Sequence, residues 1–206
     1  MIIDTHCHVG IHKYEPVETL LYHMEETGVE KAVLIQHGGE FDNSYHIQCM
    51  NTFPNRFTSA MLVAHDDQGD DIHKWAEQGI IGIRLGASSR TRTSNPLIQW
   101  STANELNLVV SALGSPKAFL SQEFAEVLKK YPNLHIIIEH LAGINNSEPE
   151  TLILFKKILE LAENEQLSIK LPGFGEFCSL PYPFKNVANF ADMALEAFGA
   201  QRIMWG

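Results

Sequence analysis

The chain has 206 residues, of which 45% are hydrophobic and 19% are charged, and its formal net charge is -10. This composition is typical of a globular protein, and the acidic balance argues against nucleic acid and anionic membranes as partners. No apolar stretch approaches the roughly 20 residues of a membrane span, and the N-terminus has no basic segment of the signal-peptide kind. Cys7, Cys49 and Cys178 are widely spaced, which indicates reduced thiols and a cytoplasmic protein.

Short apolar runs alternate with amphipathic stretches along the whole chain. The predicted strands are the first residues of the chain and the ranges 31–36, 57–64, 80–86, 108–113, 135–140, 167–171 and 202–206. The predicted helices cover about 16–27, 43–52, 70–78, 96–105, 121–131, a stretch that follows the capping-box pair Ser147 and Glu150, and 190–198. The first of these helices ends at Gly28, a residue type that is common just past a helix.

Eight strands therefore alternate with seven helices. The strands are continuous apolar runs, as expected of a parallel sheet that is covered on both faces. The pattern predicts an α/β fold, a (β/α)8 TIM barrel truncated at the eighth strand with the eighth helix absent, and an open doubly wound sheet is the alternative. No Gly-x-Gly-x-x-Gly follows a strand, so a dinucleotide site is not supported. We expect a single domain over residues 1–206 that is incomplete at its C-terminus, since such barrels typically have about 250 residues.

The first ten residues carry the clearest chemical signal. Asp4, His6 and His8 occupy alternate positions after two apolar residues, so strand parity predicts that they share one face while Cys7 points away. Three polar groups at one strand end are costly unless each is paired. The pattern therefore predicts a functional site, in which these groups are metal ligands, acid/base groups, or both.

In a barrel of this class the active site forms at the carboxyl ends of the strands. The polar residues at the later predicted strand ends are Gln36, His37, His65, Asp66, Asp67, Arg84, Ser111, His140 and Lys170. His140 follows three isoleucines and is a candidate for function. Arg84 suits bidentate recognition of a carboxylate or sugar oxygens, or an ion pair with an aspartate of the third strand end. Lys170 either orients substrate or pairs with Glu139, and His37 is a further candidate. The remaining histidines, His12, His23, His46, His73 and His135, are interpreted as surface or structural groups.

Together these motifs resemble the amidohydrolase-related TIM-barrel family, in the branch that contains sugar lactonases and the pyrone-dicarboxylate lactonase. The resemblance covers essentially the whole chain and rests on the ranges Ile3–His8, Gly82–Arg84, Ile138–Gly143, Ile169–Leu171 and Arg202–Gly206. Two features depart from the family. Its eighth strand continues after Trp-Gly into Ser/Thr-Asp, whereas this sequence stops at Gly206. Zinc-dependent relatives also place a histidine at the end of the fifth strand, where this chain has Ser111.

The resemblance implies a hydrolase that opens a lactone of a small acidic or sugar-acid substrate with activated water. The catalytic candidates are His6, His8 and His140, and the substrate-binding candidates are Arg84, His37 and Lys170. The histidines would polarise the carbonyl group or hold the oxyanion. The family's aspartate, which would serve as the base, is expected after Gly206, so the fragment itself is expected to be inactive.

The sequence leaves the cofactor open between none and one divalent metal ion, zinc or manganese. If a metal is bound, His6 and His8 are its ligands and His140 does acid/base work. Without a fifth-strand histidine, a zinc site with three histidine ligands is incomplete. The alternatives are a zinc-dependent amidase or decarboxylase of the same superfamily, and a non-catalytic barrel that binds a small acid through Arg84. A small molecule is the expected partner, and a homo-oligomer is open.

Overall fold

The computed structural model describes residues 1–144, 150–174 and 182–206, without the side chains of residues 186 and 188. The strands follow one another in the sheet in their sequence order, and each described strand register is parallel. With helices between the strands, this confirms the predicted (β/α)8 class. None of the helices described combines the length and the apolar character needed to cross a membrane.

The elements lie close to their predicted positions. The strands are β1 Ile3–Cys7, β2 Lys31–Ile35, β3 Phe57–Met61, β4 Gly82–Gly86, β5 Val109–Leu113, β6 Ile136–Ile138, β7 Leu167–Leu171 and β8 Ile203–Trp205. The helices are α1 Val17–Thr27, α2 Ser44–Thr52, α3 Asp70–Glu77, α4 Ile98–Glu105, α5 Pro116–Phe119, α6 Gln122–Lys130, α7 Thr151–Glu160 and α8 Lys185–Phe198. The short helix α5 and a 3-10 turn at Leu161–Glu163 were not predicted. The predicted capping residue Ser147 and Cys178 lie outside the described residues.

The chain forms two compact units. The first unit comprises Met1–Arg84 and Thr91–Val109, and the second comprises Leu85–Arg90 and Val110–Gly206. The single domain over residues 1–206 stays a prediction.

The core of the first unit lies between α1 and the first two strands. Val17 and Met24 of α1 are buried with Cys7 and Leu34 in one apolar cluster. Full burial of an aliphatic side chain of this size contributes roughly 1.5–3 kcal/mol. Gly28 ends the helix with φ 73°, and its N–H donates to the carbonyl of Glu25 at 3.4 Å. Cys7 thus faces the helix layer, as strand parity predicts.

Close packing explains why position 82, the first residue of the Gly-Ile-Arg motif in β4, is a glycine. A Cβ atom at this position would lie 3.1 Å from the Ala60 side chain and 3.2 Å from the Val109 carbonyl oxygen. Such distances leave no room for a side chain, so glycine allows β4 to approach its neighbours closely. The strand then carries Arg84 two residues further on.

In the second unit, a helix cap and two pairs of aromatic rings contribute to the packing of the helices. Ser121 caps α6 by accepting a hydrogen bond from the Phe124 N–H at 3.3 Å. The Phe124 ring meets Phe119 edge to face at 5.3 Å, and Phe155 of α7 meets Phe190 of α8 at 5.2 Å. These contacts place α7 and α8 against each other beside β7.

Candidate active site

A pair of histidines ends β1. The register pairs Asp4 with Ala32 and Cys7 with Leu34, so β1 carries one residue more than β2 between these points, which is a bulge. The His6 and His8 rings nevertheless meet edge to face, with centroids 4.9 Å apart, and their Nε2 atoms are 3.3 Å apart. The Asp4 carboxylate accepts a hydrogen bond from the His6 backbone N–H at 3.0 Å. The bulge therefore keeps the two imidazoles together although it interrupts strict alternation.

The orientation of His8 is set by two contacts. Its Nδ1 lies 2.7 Å from the carbonyl oxygen of Ile35, and since a carbonyl only accepts, we assign the proton to Nδ1. In its neutral form this ring presents its Nε2 lone pair toward His6. The Tyr14 ring stacks on His8 with centroids 4.7 Å apart and an interplanar angle of 22°, and it also lies 5.2 Å from the ring of His37. The Tyr14 ring therefore contacts the ring of His8, which follows β1, and the ring of His37, which follows β2.

The histidine pair fits two ligands of one metal ion. Imidazole nitrogens bound at 2.0–2.1 Å to a tetrahedral zinc ion lie about 3.3 Å from each other, and the two Nε2 atoms are 3.3 Å apart. Metal-binding histidines usually donate their other ring N–H to a carbonyl or carboxylate, as His8 does to Ile35. The same distance also permits an N–H···N contact between a protonated His6 Nε2 and His8.

Gln36 connects the predicted substrate-binding residues of the first unit. Its buried side chain donates to the Asp42 carbonyl at 3.0 Å and accepts the His37 backbone N–H at 3.0 Å. Its own carbonyl accepts a long hydrogen bond of 3.4 Å from Arg84 Nη1. His37 and Arg84 are therefore held by the same residue at the end of β2.

Asp67 has a structural role. Its two carboxylate oxygens accept hydrogen bonds from the backbone N–H groups of Gly69 at 2.8 Å and Asp71 at 3.0 Å. An acidic group at this place stabilises the start of α3 through the unpaired N–H groups of its first turn. Asp67 therefore caps α3, and an ion pair of Arg84 with an aspartate of this strand end stays a prediction.

A cavity of about 150 Å³ lies beside His37, with His12, Lys13, Tyr45 and His46 in its lining. His46 is only 1% exposed, and its Nδ1 lies 2.8 Å from Ser59 Oγ. Burial lowers the pKa of His46 from 6.5 to about 4, the charges of His8 and His37 act in the same direction, and the Val9 backbone opposes them. His46 is therefore a neutral group of the core, as its structural interpretation predicts.

The second unit holds a buried polar set on one face of three strands. The register aligns Ser111 with Ile137 and Ile137 with Ser168, so Ser111, Glu139 and Lys170 share a face. Glu139 is 2% exposed and Lys170 is 1% exposed. Ser111 Oγ donates a hydrogen bond of 2.7 Å to Glu139 Oε1. Lys170 is thus fully buried, and Glu139 stands beside it in the register.

His140 does not continue β6, contrary to the predicted strand over 135–140. The strand ends at Ile138, and the next residues form a left-handed turn with φ 48° at His140, 52° at Leu141, 60° at Ala142 and 63° at Gly143. Left-handed backbone costs roughly 1–2 kcal/mol per non-glycine residue. Such strain is typical of functional sites, because the surrounding structure must hold it in place.

The turn places His140 close to a carboxylate. A ring nitrogen of His140 and a carboxylate oxygen of Glu139 lie within 4.8 Å of each other. The Ala142 N–H donates to the Glu139 carbonyl at 2.9 Å and closes the turn. The end of β6 therefore presents an imidazole and a buried carboxylate side by side, which is a pairing suited to proton transfer.

The family model of the amidohydrolases matches residues 3–206, nearly the whole chain. The chain belongs to the amidohydrolase family. This confirms the resemblance that the His-x-His motif and the later strand ends indicate. None of the curated protein sequences compared with the chain matches it.

Solved structures of amidohydrolase type share the fold over the full length of this chain. A probable 2-pyrone-4,6-dicarboxylic acid hydrolase from Acinetobacter baumannii, with citric acid bound, is 23% identical with a TM-score of 0.78, and 82% of that chain is covered. A zinc-bound amidohydrolase from Burkholderia multivorans is 14% identical, with a TM-score of 0.79 and 83% covered. The 5-carboxyvanillate decarboxylase from Sphingomonas paucimobilis is 11% identical, with a TM-score of 0.66 and 87% covered. At these identities the likeness shows the fold.

Two residues of this amidohydrolase were missed as site candidates. Tyr14 lies in the loop before α1, and the only signal for it in the sequence is its position shortly after the His-x-His motif. Glu139 was considered only as a partner of Lys170, although it directly precedes His140 at the end of an apolar strand. A charged residue at the end of an apolar run is a signal that could have found it.

Proposed function

We propose that this protein hydrolyses a lactone, a cyclic ester, of a small acidic or sugar-acid substrate. The observation that carries the proposal is the His6–His8 pair, whose Nε2 atoms converge to 3.3 Å at the carboxyl end of β1. Attack of water on an ester carbonyl builds negative charge on the carbonyl oxygen, and positioned N–H groups stabilise that charge. The pair supplies such a group on a rigid strand end, where barrels of this class build their active sites.

In the metal-free form, His6 and His8 have different roles. His8 keeps its proton on Nδ1 for the Ile35 carbonyl, so the proton between the two Nε2 atoms belongs to His6. When substrate binds, the His6 Nε2–H turns from His8 to the carbonyl oxygen of the substrate, while the hydrogen bond to Ile35 and the stacked Tyr14 hold the His8 ring in place. His140 supports the same reaction as an acid/base group.

Cationic residues suit an acidic substrate. Arg84 presents a planar guanidinium for a carboxylate, and its contact with the Gln36 carbonyl orients it. His37, joined to the same Gln36, contributes a second polar group, and Lys170 is the third substrate-binding candidate. The support for an acidic substrate is the Arg84 guanidinium, with Lys170 as a second basic residue, within a chain whose net charge is -10.

A divalent metal ion, when bound, would be held by His6 and His8 and would supply Lewis-acid polarisation of the carbonyl and a water of lowered pKa. The Nε2–Nε2 distance is equally compatible with this second candidate, a zinc-dependent amidase or decarboxylase of the same superfamily. In that version His140 carries the acid/base work and Arg84 keeps its part in substrate binding.

Metal content and chelator sensitivity separate the candidates. The protein, extended past Gly206 through the next strand end and helix, is purified without chelator, and its metals are counted by mass spectrometry. Hydrolysis of D-gluconolactone and 2-pyrone-4,6-dicarboxylate is followed with and without chelator. Hydrolysis that survives chelation supports the metal-free lactonase. Close to one zinc or manganese ion per chain, lost in His6→Ala but kept in a His23→Ala control on the exposed face of α1, supports the metal-dependent candidate. Binding of 2-pyrone-4,6-dicarboxylate without turnover of either compound would support the third alternative, a non-catalytic barrel that binds a small acid.

A further inference from the structure

The cavity beside His37 is lined by a buried histidine. His46 is 1% exposed, and its Nδ1 lies 2.8 Å from Ser59 Oγ. The Val9 backbone interacts with the same ring, yet Nε2 has no hydrogen-bond partner of good geometry among the residues that the structure describes. Buried polar atoms normally have a partner, so this nitrogen calls for one inside the cavity. A hydroxyl group can serve it in either tautomer, because a hydroxyl both donates and accepts.

The rest of the lining offers donors and acceptors, with charges of both signs. Lys13 supplies an ammonium group, and the rings of His12 and His37 supply imidazole nitrogens. Glu40 and Asp42 supply carboxylates, each of which accepts the backbone N–H two residues further on at 2.9 Å. A carboxylate or a cation would meet a like charge in this lining, whereas a hydroxyl group finds partners of both kinds. The lining therefore fits a group that carries several hydroxyls.

A row of aromatic rings leads from the histidine pair to this cavity. The Tyr14 ring stacks on His8 with centroids 4.7 Å apart, and it lies 5.2 Å from the ring of His37, which lines the cavity. The Lys13 ammonium lies 5.5 Å from the centroid of the Tyr14 ring, a cation–π contact that holds it beside these rings. A substrate whose carbonyl lies at His6 can therefore extend past Tyr14 into the cavity.

We propose that this cavity is a subsite for the polyhydroxyl arm of a sugar-acid lactone, and that Lys13 and His12 are specificity-determining residues that bind the hydroxyls of the arm. This inference rests on the proposed lactone hydrolysis and names the substrate class of that site. The volume of about 150 Å³ is large enough for several water molecules at about 30 Å³ each, and hence for an arm of two hydroxylated carbons. Since the arm exchanges hydrogen bonds with water for hydrogen bonds with the protein, the subsite selects between lactones that differ in this arm.

Two lactones that differ in the arm test the subsite. D-glucono-1,4-lactone carries a dihydroxyethyl arm on its five-membered ring, and L-threono-1,4-lactone has the same ring and ring hydroxyls without the arm. The wild-type protein, extended past Gly206, should hydrolyse the first with a kcat/KM at least about tenfold higher, because the second lacks the hydrogen bonds of the arm. Lys13→Met and His12→Leu should each lower this preference by roughly 3–10-fold. The matched controls Lys31→Met and His23→Leu, which change exposed residues of β2 and α1, should keep the wild-type preference.

The other outcomes overturn the inference. Equal kcat/KM for the two lactones would show that the arm stays outside the cavity. A preference that Lys13→Met and His12→Leu leave unchanged would place the arm elsewhere, and an equal loss on both lactones would mean that these residues only support their loop. In each of these cases hydrolysis persists, so the proposed function stands while the subsite is refuted. A protein that hydrolyses neither sugar lactone nor 2-pyrone-4,6-dicarboxylate would refute the proposed function itself and this inference with it.

Discussion

His46 couples the stability of the protein to pH. Its pKa is lowered from 6.5 to about 4 by burial, so the folded state holds the neutral form while the unfolded chain takes up a proton below about pH 6.5. Between these values the unfolded state binds more protons, and the free energy of unfolding falls as the pH falls. A difference of 2.5 pKa units corresponds to a loss of about 3 kcal/mol by about pH 4.

Denaturant unfolding at pH 7 and pH 4.5 measures this effect. His46→Asn keeps an amide that can bond Ser59 Oγ and removes the titration, so the variant should lose much less stability over this interval than the wild type. His23→Asn, on the exposed side of α1, should behave as the wild type does. Equal pH dependence in His46→Asn and wild type would show that other groups cause the loss.

Arg84 is predicted to act on substrate affinity. Lysine keeps the charge but lacks the planar fork that binds a carboxylate at two points. Arg84→Lys should therefore raise KM for an acidic lactone by about tenfold, equivalent to about 1.4 kcal/mol, with kcat nearly unchanged. Arg90→Lys is the matched control, because Arg90 pairs with Glu126 at 2.9 Å outside the candidate site. An unchanged KM in Arg84→Lys would indicate that the guanidinium serves the structure only.

At the scale of elements, the turn after β6 depends on Gly143. A Cβ atom there would lie 2.6 Å from the Gly114 carbonyl oxygen, and the backbone has φ 63°. Gly28 provides a control, since it ends α1 with φ 73° but has open space around it. Gly28→Ala should cost about 1 kcal/mol for the left-handed backbone alone. Gly143→Ala should cost at least about 3 kcal/mol, because the overpacking adds to the backbone term. Urea unfolding measures both, and equal costs would contradict the steric argument.

The same turn shows why part of the site could not be predicted. The isoleucines of β6 predict a strand, and a histidine after them reads as its last residue. Leu141 and Ala142 have no preference for left-handed backbone, so tertiary contacts must impose it and the residue types give no warning. The residue types of β1 likewise do not predict its bulge. His6 and His8 could be predicted because two imidazoles after an apolar strand are a local pattern, whereas the Ser111–Glu139 bond joins residues 28 positions apart.

At the scale of the whole molecule, the fold class was predictable for a general physical reason. Parallel strands covered by helices are continuous apolar runs, and a short connection through a helix leads to the neighbouring strand. The strands within residues 1–144, 150–174 and 182–206 all follow that rule in the sheet order. The division into two compact units was not predictable, because it depends on how many contacts cross between segments and no change of composition marks the boundary.

The net charge of -10 predicts a characteristic response to salt. At an ionic strength of 0.01 M the Debye length is about 30 Å, so the acidic surface as a whole repels an anionic substrate, whereas at 0.15 M it is about 8 Å and only the nearest charges act. We therefore expect kcat/KM for the doubly charged 2-pyrone-4,6-dicarboxylate to rise severalfold between these conditions, while the value for neutral D-gluconolactone stays constant. Steady-state kinetics over a sodium chloride series measures both. A fall with salt for the dianion would mean that Arg84 and its cationic neighbours outweigh the net charge, and an equal change for both substrates would mean that salt acts on the protein itself.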